Sequence, residues 1–233
     1  MIPLKDDNPT TITPYLTVSF IVACVLVFLY QVSLPVQFSE VFVYQYGAIP
    51  AVVFGHTQLP IDLVSLPPYG TLFSSMFLHG GWMHLIGNML YLWIFGDNIE
   101  DVMGHGKFIV FYLSCGVLAA LSHAMIDPES VVPMVGASGA ISGVLGAYLL
   151  LFPRAHVLVL VPLGFFTQMM HVPAALVLGL WFVLQLVSGG MSIGHEGGGV
   201  AFFAHVGGFV AGMVLIGLFK HPHVHFFNPP PRW

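Results

Sequence analysis

The chain has 233 residues, 57% of them hydrophobic and only 6% charged, with a mean hydropathy of +0.91. Water-soluble domains of this length do not carry so little charge, so composition marks a polytopic membrane protein. Ten acidic residues against five basic ones, for a net charge of -5, leave no basic patch and exclude nucleic-acid binding.

In chain order, a polar segment (1–13) precedes the first apolar run, from about Tyr15 to Leu34. That run is long enough to span a bilayer and lacks a small-residue cleavage site, so it reads as a retained anchor. Apolar runs predict spans at 14–35, 82–96, 106–126, 138–152, 170–188 and 201–219. The expected fold is an all-α, six-helix membrane domain over 14–220. The 36–79 stretch holds aromatics and prolines without a long polar run, and is expected to lie against the membrane surface. The stretch 155–169 is also apolar, but Pro162 and Gly164 interrupt it. It reads as an interfacial or re-entrant connection rather than a seventh span. The Gly-rich 189–200 loop is expected to be flexible. The 221–233 tail, with three alternating histidines and a proline run, is expected to be disordered. Cys24 and Cys115 fall inside apolar segments and read as buried thiols.

The basic residues orient the chain. With six spans and a cytoplasmic start, Lys5, Lys107, Arg154, Lys220 and Arg232 all face the cytoplasm, the positive-inside pattern without exception. Seven spans would put Lys220 and Arg232 outside. Both termini are therefore expected to be cytoplasmic, with 36–79, 127–137 and 189–200 external.

Two polar residues open apolar segments at matched depth. Ser138 lies in Gly136-Ala137-Ser138-Gly139 and His205 in Ala204-His205-Val206-Gly207-Gly208, each about fifteen residues before a basic residue. At 1.5 Å per residue both side chains stand roughly 22–24 Å above the basic face, inside the bilayer. Gly139 and Gly143 on one span and Gly208 and Gly212 on the other give two small faces through which the helices could approach closely. Serine needs a base to become a nucleophile, and histidine is the usual one. At a helix start its hydroxyl also meets unpaired N–H donors suited to an oxyanion. Serine serves equally as a simple N-cap, and membrane histidines often only bond a neighbouring helix.

A third element is the run from His79 to Asn88. His84 and Asn88 sit one turn apart on one face of the second span, where both could donate to an oxyanion or simply bond another helix. There is no His-Glu-x-x-His pattern and no acid in the core of any predicted span, so neither a metal nor another cofactor is expected. Asp97, Glu100 and Asp101 lie at the cytoplasmic end, far from Ser138, which leaves a Ser-His dyad without a carboxylate.

Together these motifs resemble the rhomboid family of intramembrane serine proteases. The resemblance rests on His79, His84 and Asn88, the Gly136 to Gly139 motif, and Ala204-His205 followed by Gly207-Gly208, and it covers roughly residues 10–220. It implies Ser138 as nucleophile and His205 as general base and then acid. His84, Asn88 and the Ser138 amide are implied as oxyanion donors, and His79, Gly136, Gly139 and Gly208 as supporting residues. It further implies transmembrane protein substrates within the lipid bilayer, cleavage near small residues, an embedded first loop and a mobile cap at 189–200. A bacterial inner membrane is the expected location. Two departures stand out. The 36–79 loop has no Arg, and the position one turn after the serine, aromatic in some members, is Ser142. The other readings are an inactive rhomboid-like protein that binds membrane clients, and a transporter or channel using the intramembrane polar groups.

Overall fold

The computed structural model describes residues 1–163, 166–192 and 201–227. Its elements run β1 (Ile2–Asp6), α1 (Tyr15–Ser33), α2 (Val36–Tyr46), the single turns α3 (Pro50–Val53) and α4 (Thr71–Ser74), α5 (Trp82–Met103), α6 (His105–Ala124), α7 (Ser138–Leu151), β2 (His156–Leu163), β3 (Phe166–Pro173), α8 (Ala174–Ser192) and α9 (Phe202–Phe219). The helices α1, α6, α8 and α9 are each long and apolar enough to cross a bilayer.

The centre of the bundle is α7. Its 14 residues make a helix of only about 21 Å. It survives that shortness because every residue from Gly139 to Tyr148 is buried against α5, α6 and α9, so it needs little lipid contact of its own. The most extensive packing in the molecule joins α7 to α9. A Cβ on Gly208 would stand 2.1 Å from the Gly139 carbonyl oxygen, and one on Gly212 only 1.9 Å from that of Gly143. The two helices therefore meet backbone to backbone along the small faces expected from the sequence.

The second span extends further than its apolar run. α5 continues to Met103, and Glu100 is fully buried. Its carboxylate accepts hydrogen bonds from the Leu16 and Thr17 amides (2.9 and 2.8 Å) and the Thr17 hydroxyl (2.7 Å), and pairs with His105 Nδ1. The first turn of α1 has no side-chain cap of its own. Glu100 supplies one, as an anion at the positive end of the helix dipole.

The connection at 155–169 is not a seventh helical span, and it departs from the all-α expectation by forming strands. β2 and β3 form an antiparallel hairpin, and β1 adds to the outer edge of β2, giving a three-stranded sheet ordered β1-β2-β3. The fifth span, expected at 170–188, consequently starts at Ala174, after Pro173 ends β3. Alternation explains the strand: Val157 and Val159 are fully buried toward the bundle while their neighbours are not, a period of two inside an apolar run. Within the N-terminal segment, Ile2–Asp6 form the strand β1. The expected disorder of the tail is corrected for its first seven residues. The His221 amide donates to the Val102 carbonyl (2.8 Å), the Phe227 amide donates to that of Leu150 (2.9 Å), and Val224 is buried. Residues 228–233 lie outside the described residues. So do 193–200, most of the loop expected to be a mobile cap, while 189–192 complete α8.

On the sheet's inner face, Asp6 accepts a hydrogen bond from the Tyr148 hydroxyl (2.5 Å). Burial pushes the Asp6 carboxyl up to about 6 from 3.8, against that hydrogen bond, which lowers it. The fold thus holds this proton more tightly than the unfolded chain does. Its stabilising contribution is complete below pH 4 and is lost as the pH rises to 6. After allowance for partial exposure, Asp6→Asn should stabilise the protein at pH 7 by on the order of 2 kcal/mol relative to pH 4. Thermal unfolding at the two pH values measures this, and parallel shifts of wild type and variant would contradict it.

Candidate active site

Ser138 is the first residue of α7, where the opening N–H groups of a helix have no intrahelical partners. The preceding loop is held by the Gly136 amide, which donates to the Ser75 carbonyl (2.9 Å). Gly136 has φ +125°, a conformation that favours glycine, and a Cβ there would stand 2.8 Å from His84 Nε2. That position therefore both turns the chain into α7 and leaves room for the imidazole.

His205 lies in the first turn of α9, buried at 9% exposure. Its Nε2 is 2.8 Å from the Ser138 hydroxyl oxygen. The backbone contact of α7 with α9 sets this distance, since Gly208 is one turn below His205 and packs on the Gly139 carbonyl. The two residues singled out by matched depth are thus a hydrogen-bonded pair.

On α5, Asn88 is 7% exposed and its amide nitrogen has no hydrogen-bond partner among the described residues. A buried amide donor left open costs stability, and such sites call for an explanation. His84, one turn earlier, is exposed. Its Nδ1 accepts from the Gly80 amide (3.3 Å), which leaves the proton on Nε2, the nitrogen beside Gly136. Each of the two α5 side chains therefore has an N–H donor available, Nδ2 of Asn88 and Nε2 of His84. His79 is fully buried behind them, its ring against Phe28 and His84 (centroids 6.5 and 5.2 Å apart). The His79 carbonyl accepts from the Gln31 amide (3.0 Å), which ties the entry of α5 to α1. The His79 ring is thus held mainly by packing.

Two residues that the sequence reading passed over also reach His205, both from α8. The Nδ1 of His205 is 2.8 Å from the Gln185 Oε1, and the Trp181 ring lies 5.8 Å from the imidazole, tilted by 37°. Trp181 supplies the aromatic contact that Ser142 cannot; the Ser142 hydroxyl instead donates to the Ser138 carbonyl (2.6 Å). A signal was present: Gln185 is the one amide side chain in the apolar run from Ala174 to Val187. No carboxylate is within ion-pairing distance of His205 among the described residues.

A rhomboid domain model matches residues 68–222, two thirds of the chain. The chain belongs to the rhomboid family. This rhomboid is 31% identical over 189 residues to Rhomboid protein 1, mitochondrial, of Saccharomyces cerevisiae, a match covering 74% of this chain and 51% of the yeast protein. It is 36% identical over 88 residues to Rhomboid protease GluP of Bacillus subtilis, covering 38% and 17% of the two chains. With Presenilin-associated rhomboid-like protein A, mitochondrial, of Danio rerio it shares 31% identity over 146 residues, covering 61% and 36%. The chain spans about half the length, or less, of these curated relatives. The matched region contains the whole of the Ser138, His205, His84 and Asn88 set.

Proposed function

We propose that this rhomboid is an intramembrane serine endopeptidase that hydrolyses peptide bonds in or beside transmembrane segments of other membrane proteins. The observation that carries the reading is the 2.8 Å approach of His205 Nε2 to the Ser138 hydroxyl, between two helices built to cross or sit within a bilayer. Relatives whose names include "rhomboid protease" give it independent support.

The geometry supports the following reaction. His205 takes the Ser138 proton as the oxygen attacks the scissile carbonyl carbon. The resulting oxyanion is met by the Ser138 backbone N–H, the open Asn88 amide and the Nε2–H of His84. The C–N bond then breaks, and His205 returns the proton to the leaving amine, leaving an ester on Ser138. Water, deprotonated by His205, attacks that ester, and its collapse restores the serine hydroxyl and releases the acid. Beside Ser138 is a cavity of about 40 Å³ bordered by Met76, Gly116, Ala119, Gly136 and Ala140. So small a space supports a methyl-sized side chain next to the cut bond. A substrate helix must also unwind to expose its carbonyl, which small and helix-breaking residues favour.

Lys5, Lys107, Arg154 and Lys220 supply the charge pattern that supports cytoplasmic termini. The relatives are bacterial and mitochondrial alike, so placement in a bacterial inner membrane rests on that pattern and the compact bundle.

The test is incubation of the purified protein in lipid with a panel of tagged single-span substrates, followed by mass analysis of the products. The expected result is one cut beside a small residue near the end of the span. An uncleaved panel, or cuts confined to soluble tails, would contradict the proposal.

A further inference from the structure

The imidazole of His205 has two nitrogens, and only one faces Ser138. A neutral ring serves as base at Nε2 only when its proton is on Nδ1, so something must choose that tautomer. In serine proteases with a triad, a buried carboxylate does so. No carboxylate is within ion-pairing distance of His205 among the described residues. Among the described residues, the titratable groups that bear on it electrostatically are His84 of α5 and His123 of α6.

What Nδ1 meets instead is Gln185, at 2.8 Å through its Oε1. An amide oxygen only accepts, so the pair requires the proton on Nδ1 and leaves the Nε2 lone pair directed at the Ser138 hydroxyl. Trp181, one turn before Gln185 and on the same face of α8, lies against the ring. Bond and ring contact together restrict the imidazole in two directions, one in its plane and one across it.

We propose that Gln185 is the positioning residue of this site, a neutral third member that fixes the tautomer and orientation of His205. The proposal rests on the serine-protease reading above. It gives the site a chemistry distinct from that of a triad, since a neutral amide orients the base without adding a negative charge to stabilise the imidazolium. It also makes the base depend on a peripheral helix. α8 is the least buried of the four long apolar helices, with Leu180, Val183, Leu184 and Val187 exposed. Ser138 and His205 are brought together by the tight α7–α9 pair, but the ring is oriented by α8. Displacement of α8 would leave the dyad in contact and its base unoriented.

Three proteins test this in lipid: wild type, Gln185→Leu and Gln185→Glu, each assayed for kcat, KM and the pH dependence of kcat/KM. Gln185→Leu is expected to lower kcat by about 10- to 100-fold with KM within about twofold, because substrate binding is untouched while the productive tautomer is no longer enforced. Gln185→Glu is expected to recover much of kcat and to move the acid limb of kcat/KM to higher pH by about 1 unit or more, since a carboxylate favours the protonated ring. A merely structural role for Gln185 would lower the melting temperature of Gln185→Leu and leave the acid limb of Gln185→Glu in place, and that outcome overturns the proposal. If Gln185→Leu does not fold, the pH profile of Gln185→Glu decides alone. Failure of the underlying reading is separate: wild type itself would then neither cleave substrate nor react with a fluorophosphonate.

Discussion

Ser138→Ala is expected to lower cleavage of a transmembrane substrate by at least about 10³-fold while leaving the protein folded. The substitution removes one oxygen. Among the described residues, that oxygen is the group whose proton His205 Nε2 is placed to take, so the covalent route closes. The structural cost is small, because the serine hydroxyl caps nothing in α7 and its loss strands no charge. His205 keeps its bond to Gln185 and remains neutral, so the loss is that of one hydrogen bond between neutral groups, about 1 kcal/mol. Melting temperature and helix content should therefore stay close to wild type as activity disappears. A variant that retained a tenth of the activity would place the chemistry elsewhere.

Gly212→Ala is expected to have a large but smaller effect on activity, by a different route. The new Cβ would stand 1.9 Å from the Gly143 carbonyl oxygen and 2.5 Å from its carbon, atoms of the α7 backbone that have no rotamer to escape into. The helices must part, at a cost of about 1–3 kcal/mol. Because Ser138 and His205 belong to these two helices, the parting reaches the site directly. A misplacement near 1 Å costs on the order of 10²-fold in rate. Gly217→Ala, also on α9, is the control: its Cβ would meet only the far end of the Phe226 ring at an ordinary 3.7 Å, so stability and activity should hold. Equal behaviour of the two variants would show that the close α7–α9 approach does not set the geometry.

The helical part of this fold was legible because apolar runs of spanning length and paired glycines carry their own physical meaning. The faces of Gly139 and Gly143 and of Gly208 and Gly212 meet where their spacing indicated. The β2–β3 hairpin was not legible, because an apolar run flanked by a membrane helix looks the same whether it touches lipid or a protein core. Only the alternate burial of Val157 and Val159 distinguishes it. Glu100 was read as a terminal charge because the apolar run ends before it. Its partners, the opening amides of α1, are more than eighty residues away in sequence. In the site, Ser138, His205 and the α5 pair were readable from residue type and depth. Gln185 stood out only as a lone amide in an apolar run and Trp181 not at all, since an amide and an indole in a membrane helix acquire a role only once a neighbour is known, and that neighbour is on α9.

The most direct test is reaction of the intact protein in lipid with a fluorophosphonate, followed by digestion and mass mapping of the adduct. An activated serine in this site predicts a single adduct on Ser138, lost in His205→Ala although Ser138 is still present. Absence of any adduct on folded wild-type protein, or undiminished labelling without the His205 imidazole, would contradict the account.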